Sequence, residues 1–433
     1  MLFGKDSFRK KNIGKYIIGY ELGKEHVQIS YLKIGEKEPE TLSMVAGQEE
    51  YNIPFVLYKQ EDKNLWYIGK DALMKQQELG GLLLKHLLEI AREQELLEVN
   101  LETYDTAALL ALFVKRSLAY LNMIVPTQRI AAIMFTTDNL DQKTVEILRK
   151  MEEYLQMPQI MIQFMGKEES FFYYNLHTDP ALWSNQVYLY ELQEHELISY
   201  NLSLNRQTKP IVTIIERKEY EEFPIPEGDE LSVEEKELWD QIFLKNITED
   251  MDSKIVSAVY LIGDGFRGEW YRKSVRYLCM KRRVFLGNNL YSKGACYAFQ
   301  DKMEPSELSA SYVYLGTDKL KANVGMEILR QGAPSYLAIL DGGSSWHDSK
   351  KEWDMILEED NRLVFRITPL DGKNVTKTEI VLHGLLRNKV PLCRVHVQSY
   401  METPTRMKLK IREKGFGEFY PSTGQYWEET IEL

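Results

Sequence analysis

The chain has 433 residues, 44% of them hydrophobic and 27% charged, which is enough for two or three globular domains with ordinary cores. Its formal net charge of −11 repels a phosphate backbone on average and argues against nucleic acid as a partner. Three cysteines, Cys279, Cys296 and Cys393, lack C-x-x-C spacing and argue against a disulfide framework and a zinc site.

The N-terminus carries Lys5, Arg9, Lys10 and Lys11, but no long apolar run follows and Glu21 interrupts the first hydrophobic stretch, so no signal peptide is expected. No run of about 20 apolar residues marks a membrane-spanning helix. A cytoplasmic chain is the expectation.

Tyr16–Leu32 reads as strand, tight turn, strand, with the turn at Leu22-Gly23-Lys24-Glu25 and Val27, Ile29 and Tyr31 alternating with polar residues. A second strand pair is expected around Phe55–Tyr58 and Leu65–Ile68. Helices over Leu82–Glu98 and Thr106–Leu121 follow. Then come a strand at Arg129–Phe135, a helix at Asp141–Leu155, a buried strand at Ile160–Phe164 and a helix beginning over Glu168–Tyr174.

Gln186–Leu204 is again strand, turn, strand, and Ile211–Ile215 gives a third strand. A loop at Pro224-Ile225-Pro226-Glu227-Gly228 precedes Ser232, which with Glu235 three residues on forms a capping-box signature. The helix it opens runs to about Asn246. The apolar strand Val259–Ile262 ends in Gly263-Asp264-Gly265, and a helical stretch, a strand at Val284–Leu286 and a small-residue helix from about Ser292 follow, with Gly294, Ala295 and Ala298 close together. Lys281-Arg282-Arg283 reads as a solvated turn. The order hairpin, strand, helix, strand, helix, strand, helix thus occurs twice, as an α/β pattern. In such units the glycine turn after a strand is a common nucleotide site.

After a polar stretch at Asp301–Ala310, read as a linker, the texture becomes all-β. Leu363, Phe365 and Ile367, then Cys393, Val395 and Val397, then Met407, Leu409 and Ile411 alternate with polar residues, and Phe416–Tyr420 and Gln425–Leu433 flank a hairpin loop. Regular short strands of this kind predict an antiparallel sandwich. Asp341-Gly342-Gly343-Ser344-Ser345 reads as a structural loop with a phosphate-binding nest as the alternative, and Trp346, Trp353, Tyr336 and Tyr400 as core or rim aromatics with a peptide groove as the alternative. His347-Asp348 has no accompanying nucleophile motif.

This arrangement resembles the DnaK-type heat-shock chaperones of the actin-like ATPase superfamily. Ile18-Gly19-Tyr20-Glu21-Leu22-Gly23 is similar to that family's first phosphate loop, I-G-I-D-L-G-T-T, and Ile262-Gly263-Asp264-Gly265-Phe266-Arg267 to its adenosine motif, V-G-G-S-T-R. Leu286–Phe299 is similar to the stretch that follows, and Arg362–Leu433 to the β half of the substrate-binding domain, with Gly417–Leu433 as its closing hairpin. The resemblance implies an α/β fold: a duplicated actin-like (ribonuclease H-like) domain with one subdomain over residues 1–185 and a reduced second over 186–300. A linker over 301–311 and a β-sandwich over 312–433 complete it.

The departures from that family bear on function. Its second phosphate loop, D-L-G-G-G-T-F-D, falls at Glu191-Leu192-Gln193-Glu194-His195-Glu196-Leu197, where no glycine is left to let amides cradle a phosphate and three glutamates would repel one. Glu21 stands for a metal-associated aspartate, and Lys24 and Glu25 replace two threonines. The catalytic lysine falls near Leu73, with Lys70 and Lys75 reached only by a register shift, and the connecting motif falls at Met165–Ser170. Arg267 keeps the chemistry for stacking on adenine.

Glu21, Gly23, Lys24, Glu191, Gly263, Gly265 and Arg267 are therefore vestigial nucleotide-binding candidates, with no catalytic residue, no metal and no cofactor beyond weak adenine nucleotide. The expectation is a pseudo-ATPase, chaperone-like, binding protein or peptide partners, with an active ATP-dependent chaperone and an actin-like assembly or cell-division scaffold as alternatives.

Overall fold

A computed structural model describes residues 14–61, 63–193, 196–220, 223, 232–357, 361–370, 373–385, 392–418 and 420–433. The expected loop at Pro224–Gly228, the four N-terminal basic residues, and Glu194 and His195 lie outside them. The chain divides into two units, Met1–Val313 and Tyr314–Leu433.

The first unit is built on two mixed sheets. In the first, β1 (Tyr16–Leu22) and β2 (His26–Lys33) form the expected hairpin, and β3 (Ile130–Thr137) and β4 (Met161–Gly166) extend it in parallel, in the order β4-β3-β1-β2. β3 is buried at every position, as a strand covered on both faces must be. In the second sheet β5 (Gln186–Gln193) pairs antiparallel with β6 (Glu196–Asn205), which pairs with β7 (Ile211–Tyr220). β8 (Val256–Ile262) and β9 (Arg283–Leu286) add in parallel, giving β9-β8-β5-β6-β7 followed by the short strand Tyr312–Tyr314. Both sheets therefore place a hairpin's first strand beside a parallel strand, with a second parallel strand outside it.

Helices between strands follow the sequence where caps are clear. α1 (Gly69–Leu79) and α2 (Leu87–Glu93) precede α3 (Thr106–Leu118), which Asp105 caps through the amides of Ala107 and Ala108. Asp141 caps α4 (Gln142–Leu155) through Thr144 N, and α5 (Lys167–Leu176) begins directly at the end of β4. α6 (Val233–Asp250) opens with the full reciprocal capping box of Ser232 and Glu235. α7 (Arg272–Leu278) and α8 (Leu290–Met303) close the unit.

Three expectations for the first unit need correction. Leu82–Glu98 is not one helix. His86 takes a left-handed conformation (φ 52°), so α2 covers only Leu87–Glu93, and Leu96–Val99 pairs with Glu102–Asp105 as a hairpin. The stretch before it, left without a helix in the sequence, forms α1, which Gly80 ends at φ 71°. The Asp301–Ala310 linker is helical over much of its length, because α8 continues to Met303 and Ser306 caps a single turn at Glu307–Ala310.

α8 follows the second sheet in sequence but packs on the first, placing Ala295, Cys296, Ala298 and Phe299 against Ile17, Leu32, Ala132 and Met134. Its small residues allow the approach: a Cβ on Gly294 would stand 2.1 Å from Ser170 O of α5. α5 follows the first sheet but sets Phe171 edge-on to Tyr260 of β8. The second sheet's own helices enclose an aromatic core that includes Tyr188, Tyr190, Trp239, Phe243, Phe266 and Trp270.

The second unit has two four-stranded antiparallel sheets. One runs β11-β10-β13-β14, made of β10 (Ala322–Arg330), β11 (Ala333–Leu340), β13 (Arg362–Pro369) and β14 (Thr376–Val381). The other runs β12-β15-β16-β17, made of β12 (Lys350–Leu357), β15 (Cys393–Thr403), β16 (Arg406–Glu413) and β17 (Tyr426–Glu432). The alternating residues read from sequence are the buried ones: Leu363, Phe365 and Ile367; Cys393, Val395 and Val397; Met407, Leu409 and Ile411.

The closing hairpin is different from expectation. β17 pairs with Arg406–Glu413 and not with Phe416–Tyr420, because Gly415 and Gly417 turn left-handed (φ 62° and 89°) and break the extended run. Among the candidate groove aromatics, Trp346 is buried, while Tyr336 and Tyr400 are exposed on different sheets. The amides of the Asp341–Ser345 loop are engaged: Gly343 N donates to Leu320 O at 2.7 Å and Gly342 N to Asn323 Oδ1 at 2.9 Å.

Candidate functional site

The carboxyl ends of three strands of the first unit meet at one buried lysine. Glu21 lies near the end of β1, Asp138 just beyond β3 and Glu191 near the end of β5. Lys167, the first residue of α5, directs its ammonium at all three. It lies 2.7 Å from Asp138 Oδ1, 2.8 Å from Glu191 Oε1 and 4.0 Å from Glu21 Oε1. The other oxygen of Glu191 accepts from Tyr291 OH of α8 at 2.9 Å, and the Lys167 ammonium stands 4.9 Å from the centre of the Tyr291 ring. The Lys167 side chain is only 3% exposed.

Such a cluster is stable only if the charges compensate one another, because each loses its hydration. Burial works against the Lys167 charge, but Asp138, Glu191 and Glu21 together hold its pKa well above the ordinary lysine value. Glu21 behaves in the opposite sense. Burial pushes its carboxyl up to about 8; Lys167 offsets part of that, while Glu191 and Asp138 add to it. Three carboxyls around one ammonium leave excess negative charge, and Glu21 is where a proton relieves it.

Above the cluster a narrow cleft is lined by Gly23, His26, Gln28, Asn52 and Gly263, among others. Gln28 Nε2 donates to Asn52 Oδ1 at 2.6 Å, and Asn52 Nδ2 donates to both oxygens of Asp264 at 3.3 Å. Glu21 Oε2, Gln28 Oε1 and His26 Nδ1 are buried with no hydrogen-bond partner among the described residues. The cleft measures about 30 Å³, far below the several hundred Å³ of small-ligand sites. Next to the lining residue Gly23, Lys24 Nζ pairs with Glu196 Oε2 at 2.6 Å, which joins the turns of the two hairpins.

Of the candidates read from sequence, the structure brings Glu21, Gly23, Glu191 and Gly263 to this cleft. Lys24 follows the lining residue Gly23 and is not itself among the lining residues. Gly265 faces elsewhere, with its carbonyl accepting from Trp270 Nε1 at 2.8 Å. Arg267 is exposed and paired with Asp264 at 3.1 Å. Gly263 serves packing: it turns at φ 97°, and a Cβ there would stand 2.2 Å from Leu192 O. Lys70 and Lys75 are on α1, paired with Glu50 and Glu78.

Lys167, Asp138 and Tyr291 were not singled out in the sequence. The one signal for Lys167 is a charged residue between the apolar runs Phe164-Met165 and Phe171-Phe172. No group of three or more His, Cys, Asp or Glu among the described residues is arranged to hold a metal ion. No helix among the described residues is long and apolar enough to cross a membrane.

Residues 38–317 match a family described as "Family of unknown function (DUF5716) C-terminal". The chain belongs to the DUF5716 family. Residues 319–433 match a second, "Domain of unknown function (DUF8552)", over nearly the whole of the second unit. The DUF5716 match takes in Asp138, Lys167, Glu191 and Tyr291, while Glu21 and the first hairpin precede it. No curated protein matches the chain.

Proposed function

We propose that the first unit is a duplicated actin-like ATPase fold whose nucleotide crevice has been closed from within, and that the protein is a chaperone-like pseudo-ATPase binding protein or peptide partners. The observation that carries this reading is the position of Lys167. Its ammonium lies between the acidic side chains near the ends of β1 and β5, the places where the resemblance puts two phosphate loops. A fixed internal cation already takes the space between the two strand ends, and the carboxylates of Glu191 and Asp138 beside it would repel a triphosphate. The cleft's small volume and the Lys24–Glu196 bridge support the same reading.

The shared strand order of the two sheets, and helices α5 and α8 that pack across from their own sheets, support the duplicated fold. Fold likeness alone gives the chaperone side of the proposal. For the second unit, support for a protein partner comes from Leu329, Tyr336, Val364 and Val381, which stay exposed on one sheet.

The test has two arms on the full chain. Mg²⁺ with ATP or ADP should leave the thermal midpoint unchanged and yield no phosphate release, whereas a ligand at 100 times its Kd would add about 2.7 kcal/mol of stability. A permanently unfolded model polypeptide should bind. Hydrolysis that disappears in Glu191→Gln would return the protein to the active chaperones. Concentration-dependent filaments without peptide affinity would make it a scaffold.

A further inference from the structure

The outer face of the β12-β15-β16-β17 sheet gathers cations at one end. Registers align Asp354 of β12, His396 of β15, Arg412 of β16 and Tyr426 of β17 in one row, with Glu352, Gln398, Lys410 and Glu428 in the next. Lys414 follows at the end of β16. His396, Gln398, Lys410, Arg412, Lys414 and Tyr426 line an open concavity of about 410 Å³, within the usual range for small-ligand sites.

Of the three acids in these rows only Asp354 pairs with an arginine, while Glu352 and Glu428 accept from neutral groups and keep their charge. Asp354 accepts from Arg394 at 2.5 Å and lies 2.7 Å from His396 Nδ1; Glu352 accepts from Gln398 Nε2 at 3.0 Å, and Glu428 from Tyr426 OH at 2.5 Å. The neighbouring Lys408 reaches Glu402 at 3.9 Å. Lys410, Arg412 and Lys414 have no ion-pair partner among the described residues, and Lys410 rests only over the Tyr400 ring, 5.6 Å from its centre. Three cations left together on a chain of net charge −11 run against the molecule's overall balance.

We infer that this concavity is a binding site for a small ligand bearing two or more linked phosphate groups. The argument is charge density and size. Three cations without an ion-pair partner outnumber the one carboxylate beside them, Glu428, and suit a compact multiple anion; linked phosphates concentrate more charge than carboxylates of the same size. Arg412 supplies a planar fork for two phosphate oxygens, and the lysines supply mobile point charges. A long polyanion would have to continue past the patch over an acidic surface, which the net charge disfavours. The half-exposed ring of Tyr426 gives a flat wall for whatever group carries the phosphates.

Calorimetric titration of the full chain with pyrophosphate tests this, with orthophosphate, citrate and a single-stranded oligonucleotide as comparisons. Pyrophosphate should bind saturably at one site, tighter than the other three and more weakly as salt rises. Arg412→Ala and Lys410→Ala should each weaken it about tenfold or more, while Lys408→Ala changes it little. Both sites of change face solvent, and an unchanged thermal midpoint confirms folding. Lys414→Ala, just outside the strand ladder, provides the same test if either variant misfolds. Absence of saturable pyrophosphate binding, binding that survives these substitutions, or tighter binding of citrate or the oligonucleotide would overturn the assignment.

Discussion

The ammonium of Lys167 and the carboxylate of Glu191 meet at 2.8 Å, each almost fully removed from solvent. One residue starts a helix of the first sheet's half and the other ends a strand of the second sheet. The contact is therefore a joint between the halves of the first unit as well as an ion pair.

Removing the cation strands its partners. Lys167→Met leaves Glu191, Asp138 and Glu21 together without an ammonium, and breaking a buried pair in this way costs about 3–5 kcal/mol. Urea unfolding should show that loss, and Lys167→Met with Glu191→Gln should recover part of it. A single-variant loss below about 1 kcal/mol would mean that water reaches the cluster.

Glu21 predicts a pH dependence with a definite sign. Its folded pKa of about 8 lies above the ordinary 4.5, so between these values the folded state holds a proton that the unfolded state has released. Stability from this group is full below about pH 4.5 and falls as pH rises toward 8, by up to a few kcal/mol. Lys167 has its raised pKa outside this window and does not oppose the trend. Thermal midpoints between about pH 5 and about pH 9 should decline more steeply in the wild type than in Glu21→Gln. Equal slopes would exclude Glu21 as the titrating group.

Gly294→Ala should separate two helices. The added methyl would sit 2.1 Å from Ser170 O and 2.4 Å from its Oγ, and backbone has to move to admit it. A loss of about 1–3 kcal/mol is expected in chemical unfolding, against a small gain for alanine at an unhindered helical position. A neutral result would show that α5 and α8 part more readily than their packing indicates.

Asp240 of α6 caps a different helix. Its carboxylate accepts from Lys273 N at 2.6 Å, Ser274 N at 2.9 Å and Ser274 Oγ at 2.6 Å, at the start of α7. Asp240→Ala takes the acceptor from the Lys273 and Ser274 amides, while Ser274 Oγ keeps the Asp240 carbonyl at 3.1 Å, so a loss of about 1–2 kcal/mol is expected. Hydrogen exchange should localise the weakening to α7. Unchanged protection of α7 amides would contradict this.

Much of the fold was legible because local patterns were strong. The Tyr16–Lys33 hairpin, the apolar strand at Ile130–Thr137 and the Ser232 capping box each carry their own signal. The break in the Leu82–Glu98 helix was not legible, since it depends on a left-handed His86, a conformation residue type alone seldom announces. At the site, Glu21 and Glu191 could be found because the resemblance indexed those positions. Lys167 lies within Met165–Ser170, where the resemblance puts a connecting motif that carries no lysine; what defines it is the convergence of three strand ends far apart in sequence, and spacing along the chain holds no record of that.

The packing of α8 on the first sheet also has a consequence for how the chain is made. Ile17, Leu32, Ala132 and Met134 stay uncovered until residues as late as Phe299 have been synthesised. At about 5–20 residues per second, a ribosome finishes β4 on the order of ten seconds before it supplies that cover. The emerging first half therefore passes through a sticky interval, and slowing translation between Gly166 and Leu290 should raise the fraction lost to aggregation.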